Sequence, residues 1–290
     1  HKAIRRQRQM CIRDSKSAWA IAQAGNRGVA AKLLTDFIND FPKDPRICEA
    51  LTLRGDMYAK TKKEAEALMD FDRVIARWPK AESAAAAWQR AAQIYAGRQD
   101  MANMAKYYEG LIQNFPKASP AALAEAHFLL GRAAFDQGDF KSSISHMAEA
   151  KTLDPQKYGE QVNVLSVLSY HKLQDVNKLK EALETLQKEN PSAVARVPDV
   201  IPAWLGLQAY GMKDLETADK YMTWATQNDQ LQNVKKVIWR NLAKVRLALR
   251  KYDRALVASN NFLKDEDQPY RRADGMLDKA SILLGLGKYA

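Results

Sequence analysis

The residues of this chain that are best suited to catalysis or metal binding are its histidines and cysteines. No two histidines lie three or four residues apart, the spacing that places two ligands on one face of a helix, and no cysteine pair accompanies them. The four histidines are His1, His127, His146 and His171. The sequence therefore predicts no metal and no cofactor, and it predicts that the chain is not an enzyme.

The remaining candidates for chemistry have simpler explanations. Cys11 and Cys48 do not form a disulfide framework, and Cys48, near the start of a predicted helix, is expected to pack as a small hydrophobe. The segment Gly285-Leu286-Gly287-Lys288 superficially suggests a phosphate loop. It lacks the Gly-x-x-x-x-Gly-Lys-Ser/Thr pattern and a preceding strand, so a turn after a helix explains it better.

The elements that would position any site are amphipathic helices, and residues 120–155 show them most clearly. Apolar or small residues recur there at helical spacing on both sides of a short break. In the break, Gly138 can adopt the positive φ of a helix C-terminus and Asp139 can cap the next helix, while Pro155 stops that helix. Two helices of roughly 15 residues cannot enclose their own apolar faces, so the pair needs neighbours.

The neighbouring helix pairs are visible as a repeat. An apolar residue, Asp or Asn followed by Pro recurs at intervals of 37, 37, 39 and 36 residues. The dipeptides are Phe41-Pro42, Trp78-Pro79, Phe115-Pro116, Asp154-Pro155 and Asn190-Pro191. Later units lose the proline and keep the frame. A self-similar period in this range predicts a solenoid of stacked helix pairs.

The residue types at these repeated positions resemble the tetratricopeptide repeat (TPR), whose pattern is an aromatic, Leu-Gly, Tyr, a small residue, an aromatic and Pro. The positions that carry the resemblance are Trp88, Tyr95, Phe115-Pro116, Leu130-Gly131, Gly138-Asp139-Phe140 and Pro155. It extends over about residues 17–290, which is seven units and the start of an eighth. It implies an all-α, right-handed superhelical solenoid of antiparallel helix pairs.

A shorter motif gives a second resemblance. The segment Phe115-Pro116-Lys117-Ala118-Ser119 and the Ala-rich helix after it are similar to repeats of bacterial envelope proteins. Examples are the Tol-associated cell-division coordinator and the outer-membrane assembly lipoprotein. This resemblance implies a periplasmic or outer-membrane-associated location, with the cytoplasm as the alternative. No apolar run approaches the length of about 18 residues that a membrane-spanning helix needs.

The two ends of the chain do not follow the repeat. Residues 1–16 hold six of the 45 Lys and Arg against one Asp, so they supply +5 of the formal net charge of +11. We expect them to be a non-native or disordered basic tail. Residues 17–197 are predicted to form units one to five, and residues 198–290 units six, seven and a truncated eighth. The proline-rich residues 191–202 are the predicted joint, and the chain is expected to be a fragment that lacks at least one further helix after Ala290.

The resemblance also implies where a partner binds. In TPR-like arrays the first helix of each unit lines a concave groove, and the family's groove-facing positions carry over to this chain residue by residue. They are Asp56, Lys60, Gln89, Gln93, Phe128, Arg132, Asp136, His171, Lys172, Tyr210, Arg240 and Lys244. Their mixed polarity, with aromatic anchors and several basic residues, suits an extended peptide or another protein.

One specialised activity of the family is not expected. Members that bind chaperone tails clamp a terminal carboxylate with Lys, Asn and Arg side chains. Thr52 and Asp56 stand here where the first complete unit of those members carries the Lys and Asn pair. The sequence therefore does not predict a carboxylate clamp.

Three functions remain open from the sequence. The first is a non-catalytic protein–protein interaction scaffold in bacterial envelope assembly. The second is the accessory repeat region of a larger enzyme, such as a glycosyltransferase or a protease regulator. The third is RNA binding, which the net positive charge and the Tyr and Trp content favour. The basic residues are interspersed with 34 acidic ones, so a nucleic-acid partner is not expected.

Overall fold

A computed structural model describes Ile21, residues 26–227 and residues 232–287. The predictions about residues 1–16 and about a second helix beginning at 288–290 lie outside the described residues. Within the described ranges the chain is helical and contains no strand. The prediction of an all-α, TPR-like solenoid is confirmed.

The chain divides into two compact units, residues 1–159 and residues 160–290. The described helices of the first unit are α1 (Arg27–Asp40), α2 (Ile47–Lys60), α3 (Glu64–Arg77), α4 (Glu82–Gly97), α5 (Met101–Asn114), α6 (Pro120–Asp136) and α7 (Phe140–Leu153). Helix α8 (Pro155–Lys172) contains the boundary between the units. The second unit continues with α9 (Val176–Glu189), a 3-10 helix (Pro191–Arg196), α10 (Val200–Gly211), α11 (Leu215–Thr226), α12 (Gln232–Ala248), α13 (Tyr252–Asp265) and α14 (Pro269–Gly285).

In the first unit the helices pack as successive pairs, α2 with α3, α4 with α5 and α6 with α7, and each pair packs on the next. The first helices also touch one another, as α2 does with α4. Helix α4 opens with the four alanines 84–87, and Ala84 and Ala87 are fully buried. Alanine has the highest helix propensity, so this stretch readily forms a helix. Because the alanine side chain is only a methyl group, the neighbouring helices can approach closely.

Aspartate side chains cap the N-termini of several of these helices. The Asp139 carboxylate accepts a hydrogen bond from the backbone N–H of Ser142 at 3.1 Å, and Asp100 caps α5 in the same way through Asn103 at 3.1 Å. Pro155 lies at the start of α8, where its missing N–H is not needed. The predicted cap at Asp139 and the predicted stop before Pro155 are confirmed.

The turn between the two helices of each pair needs one residue in the left-handed region of the backbone. Gly138 fills this position with φ of 82°. Five other turns place a non-glycine residue there, namely Lys62, Gln99, Gln174, Lys213 and Arg250, with φ between 54° and 63°. Because a Cβ is strained in this conformation, each of these turns carries a local cost.

Replacing Lys62 with glycine is therefore expected to raise the free energy of unfolding of the first unit by about 0.5–1 kcal/mol. Gly138→Ala changes the equivalent residue two repeat units later, and it is expected to lower the free energy of unfolding by about 1 kcal/mol. Urea unfolding followed by circular dichroism measures both changes. If both substitutions changed the free energy of unfolding in the same direction and by the same amount, backbone conformation at this position would not govern the stability of the turn.

The second unit begins its helix pairs with α8 and α9, and the proline-rich segment follows them. Residues 191–196 form the 3-10 helix, and Val197, which has an extended backbone, follows it before α10. Ala193 and Val197 are buried against Leu183 and Leu186 of α9. This segment lies inside the second compact unit, and the division of the array at residues 197 and 198 stays a prediction.

Charged side chains are buried in both units. In the first unit, Arg54 of α2 binds Asp70 of α3 through two hydrogen bonds of 2.6 and 2.8 Å. In the second unit, Arg246 of α12 donates to Asp219 of α11 at 2.8 Å, and both side chains are only 9% exposed. Lys251 reaches the other oxygen of Asp219 at 3.0 Å. These ion pairs join consecutive helices, and at such burial each charge depends on its partner.

The remaining sequence predictions concern single residues. Cys48 is buried and free, as expected of a cysteine that packs as a small hydrophobe. Gly285 ends α14 and Gly287 has φ of 67°, so the predicted turn at residues 285–288 is confirmed for its described part.

Candidate functional site

The candidate site of the first unit is the face formed by its first helices, α2, α4 and α6, which is named here the first-helix face. It carries the predicted groove residues of this unit, namely Asp56, Lys60, Gln89, Gln93, Phe128, Arg132 and Asp136. Lys60, Arg132 and Asp136 are exposed, and the other four are half-buried. The structure therefore places every one of them where solvent reaches the side chain.

A carboxylate that the sequence did not single out organises the polar part of this face. Glu125 of α6 accepts a hydrogen bond from the Gln89 side-chain amide at 2.7 Å and from that of Gln93 at 2.8 Å. The Tyr108 hydroxyl of α5 donates to it at 3.2 Å, and burial raises the pKa of that phenol, with the nearby carboxylate adding to the rise. Glu125 therefore fixes two predicted groove residues in one orientation.

A second charged pair continues this network toward α2. The Arg90 guanidinium lies 3.2 Å from an Asp56 oxygen and donates to the Gln93 side-chain oxygen at 3.0 Å. Burial raises the pKa of Asp56, and the charges of Arg90 and Lys60 oppose that rise. The polar side chains of three successive units are thus linked across α2, α4 and α6.

An aromatic surface adjoins the polar network. Phe128 of α6 stacks on Tyr158 with ring centroids 4.6 Å apart, and the Lys157 ammonium lies 4.9 Å from the centre of the Tyr158 ring. Phe128 keeps part of its ring exposed, whereas Tyr158 is buried. A partly exposed aromatic ring that stacks on a buried aromatic ring is well placed to contact a side chain of a binding partner.

A cavity of about 630 Å³ opens in the first unit beside this face. Its walls come from the first half of α4, the end of α5 and the loop that leads into α6. Gln89 belongs to its lining, so the cavity adjoins the polar network around Glu125. This volume falls within the range of about 300–1,000 Å³ that is usual for ligand pockets.

In the second unit the predicted residues fall into separate groups. His171 of α8 meets Trp204 of α10 edge-on at 5.4 Å, and burial lowers its pKa. Lys172 is exposed and Tyr210 is half-buried. Arg240 of α12 is paired with two carboxylates of α14.

The α12–α14 contact uses both remaining predicted residues of the second unit. Arg240 binds Asp274 at 3.0 Å and Asp278 at 3.3 Å, and the Lys244 ammonium lies 3.8 Å from the same Asp278 oxygen. The carboxylates of α14 therefore partly neutralise both positive charges. A partner that contacts Arg240 or Lys244 also meets these carboxylates.

The histidines of the first unit form a pair that spacing along the chain did not predict. The Nδ1 atoms of His127 in α6 and His146 in α7 lie 3.0 Å apart. Burial lowers the pKa of both imidazoles. The acidic groups that face them are Glu149 for both, and Glu109 and Asp139 for His146. At 3.0 Å one ring must donate its Nδ1 proton and the other must accept it.

This pair predicts a pH dependence of stability. Because the folded pKa of each histidine is lower than the ordinary value of 6.5, the folded unit favours the neutral form. The stabilisation is fully present above pH 6.5 and is lost as the pH falls through the lowered folded pKa values. Doubly protonated rings would also place two N–H groups face to face.

Urea unfolding at pH 7.5 and pH 5 measures this effect. The wild-type chain is expected to lose more stability on acidification than the His127→Gln/His146→Gln variant, whose amides do not titrate. An equal loss in both proteins would contradict the pairing.

Ile21, residues 26–227 and residues 232–287 contain no group of three or more His, Cys, Asp or Glu side chains placed to hold a metal ion. In the same residues, no helix combines the length and the apolar character needed to cross a membrane.

The repeat allowed the predicted groove residues to be placed on the first helices from the sequence, but it did not indicate their hydrogen-bond and ion-pair partners. Glu125 follows Gln89 by 36 residues and Gln93 by 32, and Arg90 follows Asp56 by 34. These separations are close to one repeat. Aligning consecutive first helices and asking which polar residues fall side by side would therefore have indicated these pairs.

Comparisons with known families agree with the repeat. One tetratricopeptide-repeat model matches residues 49–81 and 86–118, and a second tetratricopeptide-repeat model matches residues 121–158. These segments cover most of α2, α4 and α6 and all of α3, α5 and α7. No curated protein matches the chain.

Solved structures give the same fold. A tetratricopeptide repeat protein from Parabacteroides merdae aligns with a TM-score of 0.50 at 12% identity, covering 94% of this chain and 99% of that one. A structure of Naa15/Naa10 bound to HypK-THB aligns with a TM-score of 0.54 at 12% identity, covering 97% of this chain and 39% of the other. At such identities the likeness concerns the fold alone. The chain therefore contains tetratricopeptide repeats at residues 49–81, 86–118 and 121–158, and its described helices have the fold of a tetratricopeptide-repeat solenoid.

Proposed function

We propose that this protein is a non-catalytic scaffold that binds a peptide or protein partner in the concave groove lined by its first helices. The observation that carries the proposal is the first-helix face of the first unit, where hydrogen bonds from Gln89 and Gln93 to Glu125 hold polar side chains of successive units in fixed positions. A surface that is already ordered loses less side-chain entropy when a partner binds.

The composition of the face also suits a protein ligand. The half-exposed ring of Phe128 offers apolar area, and Lys60, Arg132 and Asp136 offer exposed charges on the same first-helix face. Protein-binding surfaces usually combine aromatic anchors with polar residues. The similarity of residues 115–119 to repeats of envelope proteins supports a role in bacterial envelope assembly as part of this proposal.

Affinity capture with a groove variant tests the proposal. The tagged chain is incubated with soluble and envelope fractions of a bacterial lysate, in parallel with Lys60→Glu/Arg132→Glu. The control, Arg73→Glu/Lys141→Glu, makes the same charge change at exposed residues of the second helices α3 and α7.

The proposal predicts proteins that the wild type and the control retain and that the groove variant loses. Capture of no protein by the wild-type chain, or equal capture by both variants, would overturn it.

A further inference from the structure

Three lysines occupy the same position in three consecutive units. Lys43, Lys80 and Lys117 each follow an aromatic-Pro dipeptide, at intervals of 37 residues. All three lie in the loops that lead into α2, α4 and α6, and all three side chains are exposed. Because stacked units present equivalent positions on the same side, these loops form one edge of the first unit, named here the lysine edge.

No ion pair within the described part of the chain neutralises the positive charges of the lysine edge. None of the ion pairs between described residues includes Lys43, Lys80 or Lys117. On the first-helix face, Arg90 by contrast has a partner of opposite sign in Asp56. The three lysines therefore present unpaired positive charge at the loop end of this face.

The cavity of about 630 Å³ lies between two of these lysines. Lys80 and Lys117 both belong to its lining, and Glu82 is the single acidic residue there. The apolar part of the lining comes from Leu111, Phe115 and small side chains of α4 and α6. A cavity with an apolar wall and positive groups at its edge fits an apolar side chain whose neighbours are acidic.

We propose that the cavity and the lysine edge bind an extended acidic segment of the partner, which inserts one aromatic or large aliphatic side chain between Lys80 and Lys117. This inference rests on the proposed function, because it assigns the chemistry of the partner at one end of the same groove. The carboxylates of the segment pair with Lys80 and Lys117 on either side of the anchor, and with Lys43 farther along.

The spacing of the lysines sets the pattern of the segment. Contacting helices lie about 8–10 Å apart, so equivalent lysines of adjacent units are separated by about 10 Å. An extended chain rises about 3.3 Å per residue. Acidic residues about three positions apart, with an apolar residue among them, therefore match the edge.

A displayed library of random 12-residue peptides, selected on the complete chain at low salt, tests this inference. Lys80→Glu/Lys117→Glu reverses the charges at the cavity, and Ala86→Trp fills the cavity without changing its charge, since Ala86 lines it. Lys32→Glu/Lys141→Glu is the matched control, because both lysines are exposed residues of the same unit and carry the same total charge. Circular dichroism establishes that each variant is folded.

The expected selection yields peptides rich in Asp and Glu around a Phe, Trp or Leu. Fluorescence anisotropy is expected to show at least tenfold weaker binding to Lys80→Glu/Lys117→Glu and to Ala86→Trp, and unchanged binding to the control. Peptides that bind all variants equally but are lost with Arg132→Glu would overturn the inference while the proposed groove function stands.

Two other results would also overturn it. One is a selection that returns basic peptides or no peptides. The other is binding to vesicles of phosphatidylserine and phosphatidylcholine that needs Lys80 and Lys117 when no acidic peptide does, because the lysine edge would then recognise a lipid surface.

Discussion

Replacing Asp219 with alanine is expected to lower the free energy of unfolding of the second unit by about 3–5 kcal/mol, because it leaves a buried guanidinium without its counter-charge. Arg246 is 9% exposed, donates to Asp219 at 2.8 Å and completes its bonds at Thr223 and at the Arg254 carbonyl oxygen. With Asp219 removed, the positive charge stays buried and the remaining acceptors do not neutralise it.

A neighbouring carboxylate provides the control for this experiment. Glu216 also binds a cation, Lys251, at 2.8 Å, but its side chain is 70% exposed. Glu216→Ala is therefore expected to change stability by less than about 1 kcal/mol. Urea unfolding of both variants measures the difference, and similar losses would show that the Arg246–Asp219 pair contributes no more than a surface ion pair.

The Asp219 carboxylate is also expected to make the stability of the second unit depend on pH in the acid range. Burial by itself would raise the pKa of Asp219, but the hydrogen bonds from Arg246 and Lys251 outweigh burial and lower it. A lowered folded pKa stabilises the unit above the ordinary pKa of aspartate, and the stabilisation is lost as the pH falls through the folded value. Acid unfolding of the wild type is therefore expected to be steeper than that of Asp219→Ala.

The second large effect is expected at Gly206 of α10. A Cβ built there would lie 2.7 Å from the Met222 Cγ and 2.9 Å from the Met222 backbone nitrogen. Because the backbone of α11 cannot move aside as a flexible side chain can, Gly206→Ala should push α10 and α11 apart. We expect a loss of about 1–3 kcal/mol in the free energy of unfolding.

Gly211 serves as the matched control, since it ends the same helix and a Cβ there meets nothing within 4 Å. Gly211→Ala is expected to leave stability unchanged or to raise it by up to about 1 kcal/mol. Thermal and urea unfolding of the two variants test the contrast. A Gly206→Ala protein as stable as Gly211→Ala would mean that the two helices pack less tightly than the structure shows.

The repeat made much of the fold predictable from the sequence. Proline and glycine act locally, so the stop before Pro155, the turn at Gly138 and the cap at Asp139 follow from residue type alone. Lys62 and Gln174 occupy the same position in the repeat as Gly138, although neither residue type favours the left-handed backbone that it adopts.

The contacts between helices were harder to predict. His127 and His146 lie 19 residues apart on different helices, and only the packing of α6 on α7 brings their Nδ1 atoms to 3.0 Å. The Arg246–Asp219 pair joins residues 27 apart in the same way. Charged residues are frequent along this chain. Without knowledge of how the helices pack, the sequence therefore does not distinguish a buried ion pair from an exposed one.

Site-specific photo-crosslinking in cells shows whether the first helices hold a protein partner. A photoreactive benzoylphenylalanine is placed at Arg132, which is exposed on α6, and separately at Met69, which is 72% exposed on the second helix α3. We expect a discrete crosslinked protein from position 132 and none from position 69. Crosslinks from position 69 alone, or equal crosslinks from both positions, would show that the partner is not held by the first helices.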